Sequence, residues 1–145
     1  MTDTLEDAII LACTAHRQQV DKAGAPYILH PLRVMLGVSG DERRMAAVLH
    51  DVVEDSGINP AVIAARFGDD VAQAVVALSR RDDEDYDAFI ERCARNPIAR
   101  DVKRADIEDN LDLARLTRIT ASDRERGAKY RRALDRLEAI DDGNG

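Results

Sequence analysis

The dipeptide Asn-Pro occurs twice, at Asn59-Pro60 and Asn96-Pro97, and helical apolar spacing follows each time. This pair constrains the fold more than any other feature of the chain. An Asn side-chain oxygen caps orphan N–H groups, and Pro is pre-set for the first helical turn, where its missing N–H costs nothing. No segment elsewhere alternates convincingly with period two, the mark of a half-buried strand. The expected fold class is therefore all-α.

Helical spacing divides the chain further. A first helix is expected from about Thr4 to Val20, with Leu5, Ala8, Ile9, Ala12 and Cys13 on one face. Asp21 to Pro26 reads as a loop, punctuated by Gly24 and Pro26. A second helix starts near His30 and stops at Ser39-Gly40. A third runs from Asp41 to Val53 or slightly beyond. Shorter helices are expected from Asn59 to Phe67, from Asp69 or Asp70 to Leu78, and from Tyr86 to Arg95. Arg80 to Asp85 is a charged loop. The second Asn-Pro opens a helix to about Leu116. Ser122-x-x-Glu125 has the form of a capping box for a last helix ending near Ile140. Residues 141–145 read as a disordered tail, which leaves residues 1–140 as one domain.

Composition narrows the function. The net charge is −7 and aromatics are 3% of the 145 residues, so a counterion-releasing basic surface and a stacking platform are both missing. Polymeric nucleic acid is not an expected partner. No apolar run approaches the ~18–20 residues of a membrane span, and the acidic start Met1-Thr-Asp-Thr-Leu-Glu-Asp is unlike a signal peptide. The expected compartment is the cytoplasm. Cys13 and Cys93 form no C-x-x-C pair and read as buried thiols.

On a wheel with His50 at zero, Glu54 falls at about 40°, Asp51 at about 100° and Asp55 at about 140°. Met45, Ala46, Leu49, Val52 and Val53 take the opposite side. One helix thus carries an apolar face and a face with a His and three carboxylates. A solvated acidic surface is the plain alternative, but an Ala/Val/Leu-rich helix is central, and its polar face then lines a cleft. His30 stands at a helix start in Tyr27-Ile-Leu-His30-Pro31. Lys103, Asp106 and Asn110 share one face of the later helix, where a surface Lys–Asp pair is the competing reading. His16, beside Arg17, reads as structural or surface.

Taken in order, Gly24-Ala-Pro-Tyr-Ile-Leu-His-Pro31, Leu49-His-Asp-Val-Val-Glu-Asp55, Phe67-Gly68 and Val102-Lys-x-Ala-Asp106-x-x-x-Asn110 resemble the HD superfamily pattern H…HD…D. More narrowly, they resemble the hydrolase domain of the RelA/SpoT family and the single-domain alarmone hydrolases, over residues from about 5 to 120. The resemblance implies a helical phosphohydrolase whose His30, His50, Asp51 and Asp106 bind one divalent ion, typically Mn²⁺. Mixed imidazole and carboxylate ligation suits such an ion with open positions for water. It further implies that Glu54 and Asp55 position or deprotonate that water, and that the substrate is a small phosphorylated nucleotide. The most specific version is guanosine 3′,5′-bis(diphosphate). A nucleotide-sensing module without catalysis is the alternative.

Two positions depart from the family's pattern. Asp21 stands where relatives often carry Arg, and Asp112 follows Asn110 where they commonly show an Arg. Arg80 and Arg81 are the expected replacements, because Arg pairs bidentately with phosphate. Lys22, Lys103 and Asn110 are the other expected substrate contacts. A chain this small leaves room for a homodimer.

Overall fold

In the computed structural model, residues 3–112 and 119–144 are described, the side chains of Asp55 and of residues 140–144 excepted. Among them are nine α-helices: α1 (Leu5–Ala15), α2 (Leu29–Leu36), α3 (Asp41–Leu49), α4 (Val52–Ser56), α5 (Pro60–Phe67), α6 (Asp69–Ala77), α7 (Tyr86–Ala94), α8 (Pro97–Asn110) and α9 (Ala121–Asn144). The described residues contain no strand, only an isolated bridge between Val20 and Pro26. No described helix is long and apolar enough to cross a membrane.

Local chemistry sets the boundaries. Asn59 and Asn96 both cap as expected, Asn96 accepting from the amides of Ile98 and Ala99. Thr4 and Asp7 form a capping box that starts α1. That helix stops at Ala15, not near Val20, because Gln18 turns to φ 70° and the chain doubles back. Gln19 then accepts from the Tyr27 amide at 2.8 Å, closing a loop over residues 19–27. Within it Gly24 holds φ +82°, a conformation open to glycine at no steric cost. The box that opens α9 is Thr120-x-x-Asp123, not Ser122-x-x-Glu125: the Thr120 amide donates to Asp123 Oδ2 at 2.9 Å, and the Asp123 amide donates to Thr120 Oγ at 3.2 Å. At its other end α9 runs on to Asn144, because Asp141 and Asp142 do not break a helix; the expected tail is helical up to that residue. α8 ends at Asn110, before the expected Leu116, which lies outside the described residues.

The central element is α3, which packs against α1, α2, α6 and α8. Five consecutive residues, Met45 to Leu49, are buried, so the helix is enclosed on nearly every side. Small residues make this enclosure close: Ala46 and Ala47 on α3, with Ala8 and Ala12 on α1, are all fully buried. Leu49→Ala would therefore cost about 2–5 kcal/mol. A second apolar cluster, built on Ile90, Ala94, Ile107, Ala133 and Leu137, fastens α9 to α7 and α8.

The single expected helix from Asp41 to Val53 is broken into α3 and α4 at His50-Asp51. The cause is a side chain: His50 Nδ1 donates to the Ala47 carbonyl at 2.5 Å and competes with the backbone ladder there. The break sends the residues after His50 off the ideal wheel. It also turns the imidazole toward α2 and α8.

Candidate metal centre

Three ligand atoms converge where α2, the α3–α4 break and α8 meet. His30, His50 and Asp106, all buried, each offer an atom within 4.8 Å of the others. His30 Nε2 lies 2.9 Å from Asp106 Oδ1, and His50 Nε2 lies 3.6 Å from the same oxygen. Asp51 reaches the group from its edge, with Oδ2 3.1 Å from His50 Nε2.

Neighbours fix what these atoms can do. His30 Nδ1 sits 2.6 Å from Asp109 Oδ2, so its proton belongs on that nitrogen. Arg33 holds Asp109 with two N–H groups, at 2.6 and 3.1 Å. The Ala47 carbonyl claims the Nδ1 proton of His50 in the same way. Both Nε2 atoms therefore present lone pairs, and they face carboxylate oxygens that also present lone pairs. His50 Nε2 is buried with no hydrogen-bond partner. Acceptors that face acceptors require a cation between them, and a divalent ion suits two imidazoles and a carboxylate. The residues fit the metal that their chemistry implies.

The ionisation pattern agrees. Burial alone would lower the His50 pKa, but Asp51 and Asp106 outweigh it and hold the imidazole well above its usual range. Burial raises Asp51, yet the His50 charge beside it brings it to about 2, with help from the Tyr27 hydroxyl. Asp106 is buried too, and Lys103 with the two histidines draws it well below the usual carboxylate range. A proton on His50 is the stand-in for a metal ion at this position.

The surroundings of Asp106 divide its two oxygens. Lys103 Nζ donates to Oδ2 at 2.9 Å, which leaves Oδ1 for the histidines and for Asn110 Nδ2 at 3.2 Å. Lys103 is itself largely buried, 4.8 Å from the centre of the Phe89 ring.

A cavity of about 480 Å³ opens above this group. It brings together five of the expected site residues: Lys22, His30, Asp51, Asp106 and Asn110. His50 lies beneath it, buried. Lys103 does not line it and faces Asp106 instead. Arg80 and Arg81 do not line it either. Their amides donate to the carboxylates of Glu54 and Glu84, at 2.9 and 3.2 Å, and Arg80 Nε binds the Glu84 carbonyl. The loop that carries them is held by Arg92, which clasps Glu84 and the carbonyls at the end of α6. Glu54 is exposed and bonded to that loop, and the Asp55 side chain lies outside the described residues.

Sequence reasoning missed the supports. Tyr27 donates its hydroxyl to Asp51, and Asp109 and Arg33 orient His30. Spacing carried a signal, since Arg33 is three after His30 and Asp109 three after Asp106. Arg126, Asp123 and Tyr130 on α9 line the cavity through a contact of high sequence separation, for which one-dimensional spacing gives no sign. His16 is buried, 3.1 Å from Gln19, with its ring tilted against Tyr27, which fits the structural reading.

Comparison with known proteins places this geometry. A family model described as HD domain matches residues 8–132. A probable guanosine-3′,5′-bis(diphosphate) 3′-pyrophosphohydrolase of Synechocystis sp. is 38% identical over 93 residues, covering 61% of this chain and 12% of that protein. The guanosine-3′,5′-bis(diphosphate) 3′-pyrophosphohydrolase of Aquifex aeolicus is 31% identical over 121 residues, covering 75% of this chain and 17% of that protein. The chain thus spans less than a fifth of the length of these curated relatives. A solved structure described as a metazoan ortholog of SpoT that hydrolyzes ppGpp superposes with a TM-score of 0.77 at 28% identity, over 92% of this chain and 84% of that one. The match spans every helix that contributes to the buried histidine and aspartate cluster, and the chain belongs to the HD domain family.

Proposed function

We propose that this chain is a metal-dependent phosphohydrolase that cleaves a phosphate or pyrophosphate ester of a small nucleotide. Guanosine 3′,5′-bis(diphosphate), the substrate in the names of its relatives, is the most specific version. The observation that carries the reading is the buried meeting of two imidazole lone pairs with the carboxylates of Asp51 and Asp106. His30, His50, Asp51 and Asp106 would hold one divalent ion, Mn²⁺ by preference, which lowers the pKa of bound water and offsets charge at phosphorus.

The chain's own residues do the rest. Asp109 and the Ala47 carbonyl engage Nδ1 of the two imidazoles and turn both Nε2 atoms toward the ion's position, and Tyr27 holds Asp51. Lys103 and Asn110 fix Asp106. Glu54 and Asp55 are the candidate acceptors for the proton of the attacking water, with Glu54 steadied by the Arg80 amide. The water oxygen bonds to phosphorus as the ester P–O bond breaks, and the departing oxygen takes a proton from solvent. Lys22 and Asn110 line a cavity whose size suits a nucleotide. The cytoplasm is the proposed compartment, and a homodimer is the proposed assembly.

The test is release of phosphate or pyrophosphate by the purified protein with Mn²⁺ across a nucleotide panel, with Asp51→Ala as the blank. Release that requires both Mn²⁺ and Asp51 supports the reading. Silence across the panel with metal bound sinks it in favour of a binding module.

A further inference from the structure

Two rungs of side chains form where α2 packs against α8. His30 and Arg33 stand three apart on α2, and Asp106 and Asp109 three apart on α8, so each pair shares one helix face. His30 meets Asp106 at the metal position, with Nε2 2.9 Å from Oδ1. One turn further along both helices, Arg33 meets Asp109. Asp109 joins the two rungs, since its Oδ2 also lies 2.6 Å from His30 Nδ1. The cavity follows the rungs: His30, Asp106 and Arg33 line it, whereas Asp109 stands behind them and does not.

The pairing decides what Arg33 shows to the cavity. Its Nε donates to Asp109 Oδ1 at 2.6 Å and its Nη2 to Oδ2 at 3.1 Å. These two parallel bonds use one edge of the planar guanidinium fork. A guanidinium carries five N–H donors, so the Asp109 pair accounts for two and leaves three, two on Nη1 and one on Nη2. Those three point along the end edge of the same plane. The Asp109 side chain is 9% exposed and that of Arg33 34%, so the anchored edge is enclosed and the open part of the arginine lies on the cavity side. A fork already held in one plane loses less freedom on taking an oxyanion than a mobile lysine does. Lys22, with a side chain 63% exposed, is the contrast within the same cavity.

Resting on the phosphohydrolase reading above, we propose that Arg33 binds a phosphoryl oxygen of the substrate through its end edge, held in place by Asp109. Arg33 is then a substrate-binding residue as well as a buttress of His30. The ligand class is a phosphoryl oxyanion, whose geometry the fork matches. A lysine could neutralise Asp109 equally well, but as a point charge it would not hold two oxyanions in one plane. Because the same carboxylate orients His30, one residue fixes the anion contact relative to the metal position.

The experiment uses the full chain loaded with Mn²⁺ and freed of excess metal, with inorganic phosphate as the calorimetric probe and the nucleotide selected by the panel above for kinetics. Arg33→Gln should weaken phosphate binding by about tenfold or more, and raise KM in proportion while kcat changes less. Mn²⁺ affinity should change by less than about threefold, because Asp109 keeps its bond to His30. Arg33→Lys keeps the charge and loses the fork, so its phosphate affinity should fall by about threefold. That variant decides the matter if circular dichroism shows that Arg33→Gln has lost helix. Folded variants with wild-type phosphate affinity and KM overturn the inference and leave Arg33 a buttress, whether or not their Mn²⁺ affinity falls. Wild type that takes up no phosphate overturns it as well. Release from none of the panel, with phosphate binding that still depends on Arg33, sinks the hydrolase reading and keeps the contact.

Discussion

Lys103→Met separates a support of the metal centre from a substrate contact. Lys103 and Asp106 pair at 2.9 Å with side chains 12% and 7% exposed, so the variant leaves a buried carboxylate short of its permanent counter-charge. Breaking such a pair costs about 3–5 kcal/mol. Asn110, His30 and a protonated His50 still face Oδ1, and Met retains most of the packing against Phe89, so about 3 kcal/mol is expected. In a chain of this size that lowers Tm by roughly 10 °C. A divalent ion beside Asp106 restores the missing charge, so the loss should shrink with saturating Mn²⁺. By linkage, each 1.4 kcal/mol recovered means about tenfold tighter metal binding by the variant. The assay is denaturant unfolding of both proteins in EDTA and in Mn²⁺. A loss below about 1 kcal/mol in EDTA, with metal affinity unchanged and only KM raised, would refute the reasoning and return Lys103 to the substrate.

Asp109→Asn removes the charged partner of the His30 imidazole, and metal affinity should fall about 10–100-fold with helix content intact; unchanged affinity by titration calorimetry would detach Asp109 from the centre. In metal-free protein, the His50 pKa stands above the unfolded value of 6.5, so its contribution is complete below that pH and is lost as pH rises through the folded value. Asp51, lowered from 3.8 to about 2, contributes above 3.8 and loses its effect as pH falls toward 2. The urea midpoint in EDTA should therefore decline on both flanks, and a midpoint that climbs between pH 7 and 9 would contradict the His50 assignment. Mn²⁺ binding at pH 7 should release a proton, read as a dependence of binding heat on buffer ionisation enthalpy. Cys13 is exposed, contrary to the expectation of a buried thiol, whereas burial pushes the Cys93 thiol up to about 12, so one thiol should react with a disulfide reagent in native protein and two after unfolding.

Local chemistry was legible in the sequence, and long-range placement was not. The two Asn-Pro starts and Gly68 as a break depend on neighbours within a turn or two, and they stand where spacing puts them. The Arg80–Asp85 loop was found, but its direction was not: Glu84 and Arg92 bind it to α6 and α7, which keeps Arg80 and Arg81 out of the cavity. Of the cations that line the cavity among the described residues, Lys22 was expected, Arg33 was signalled only by its spacing of three from His30, and Arg126 gave no cue, because it arrives only when Leu137 and Ala133 dock α9 on the second cluster. The break at His50 was invisible for another reason. Propensity favours a continuous helix through Val52 and Val53, and a side-chain bond to the Ala47 carbonyl overrides it. Asp21, read as a lost phosphate contact, shapes its own loop through two amides, a role its position before Gly24 suits.

The central claim is that two histidines and two aspartates hold one divalent ion. Its most direct test is the stoichiometry of Mn²⁺ bound by wild type and by Asp106→Ala, followed through the electron paramagnetic resonance of free Mn²⁺. One ion per chain in wild type, and none retained by an Asp106→Ala variant of native helix content, is the predicted result. Equal retention by the two proteins would contradict the account.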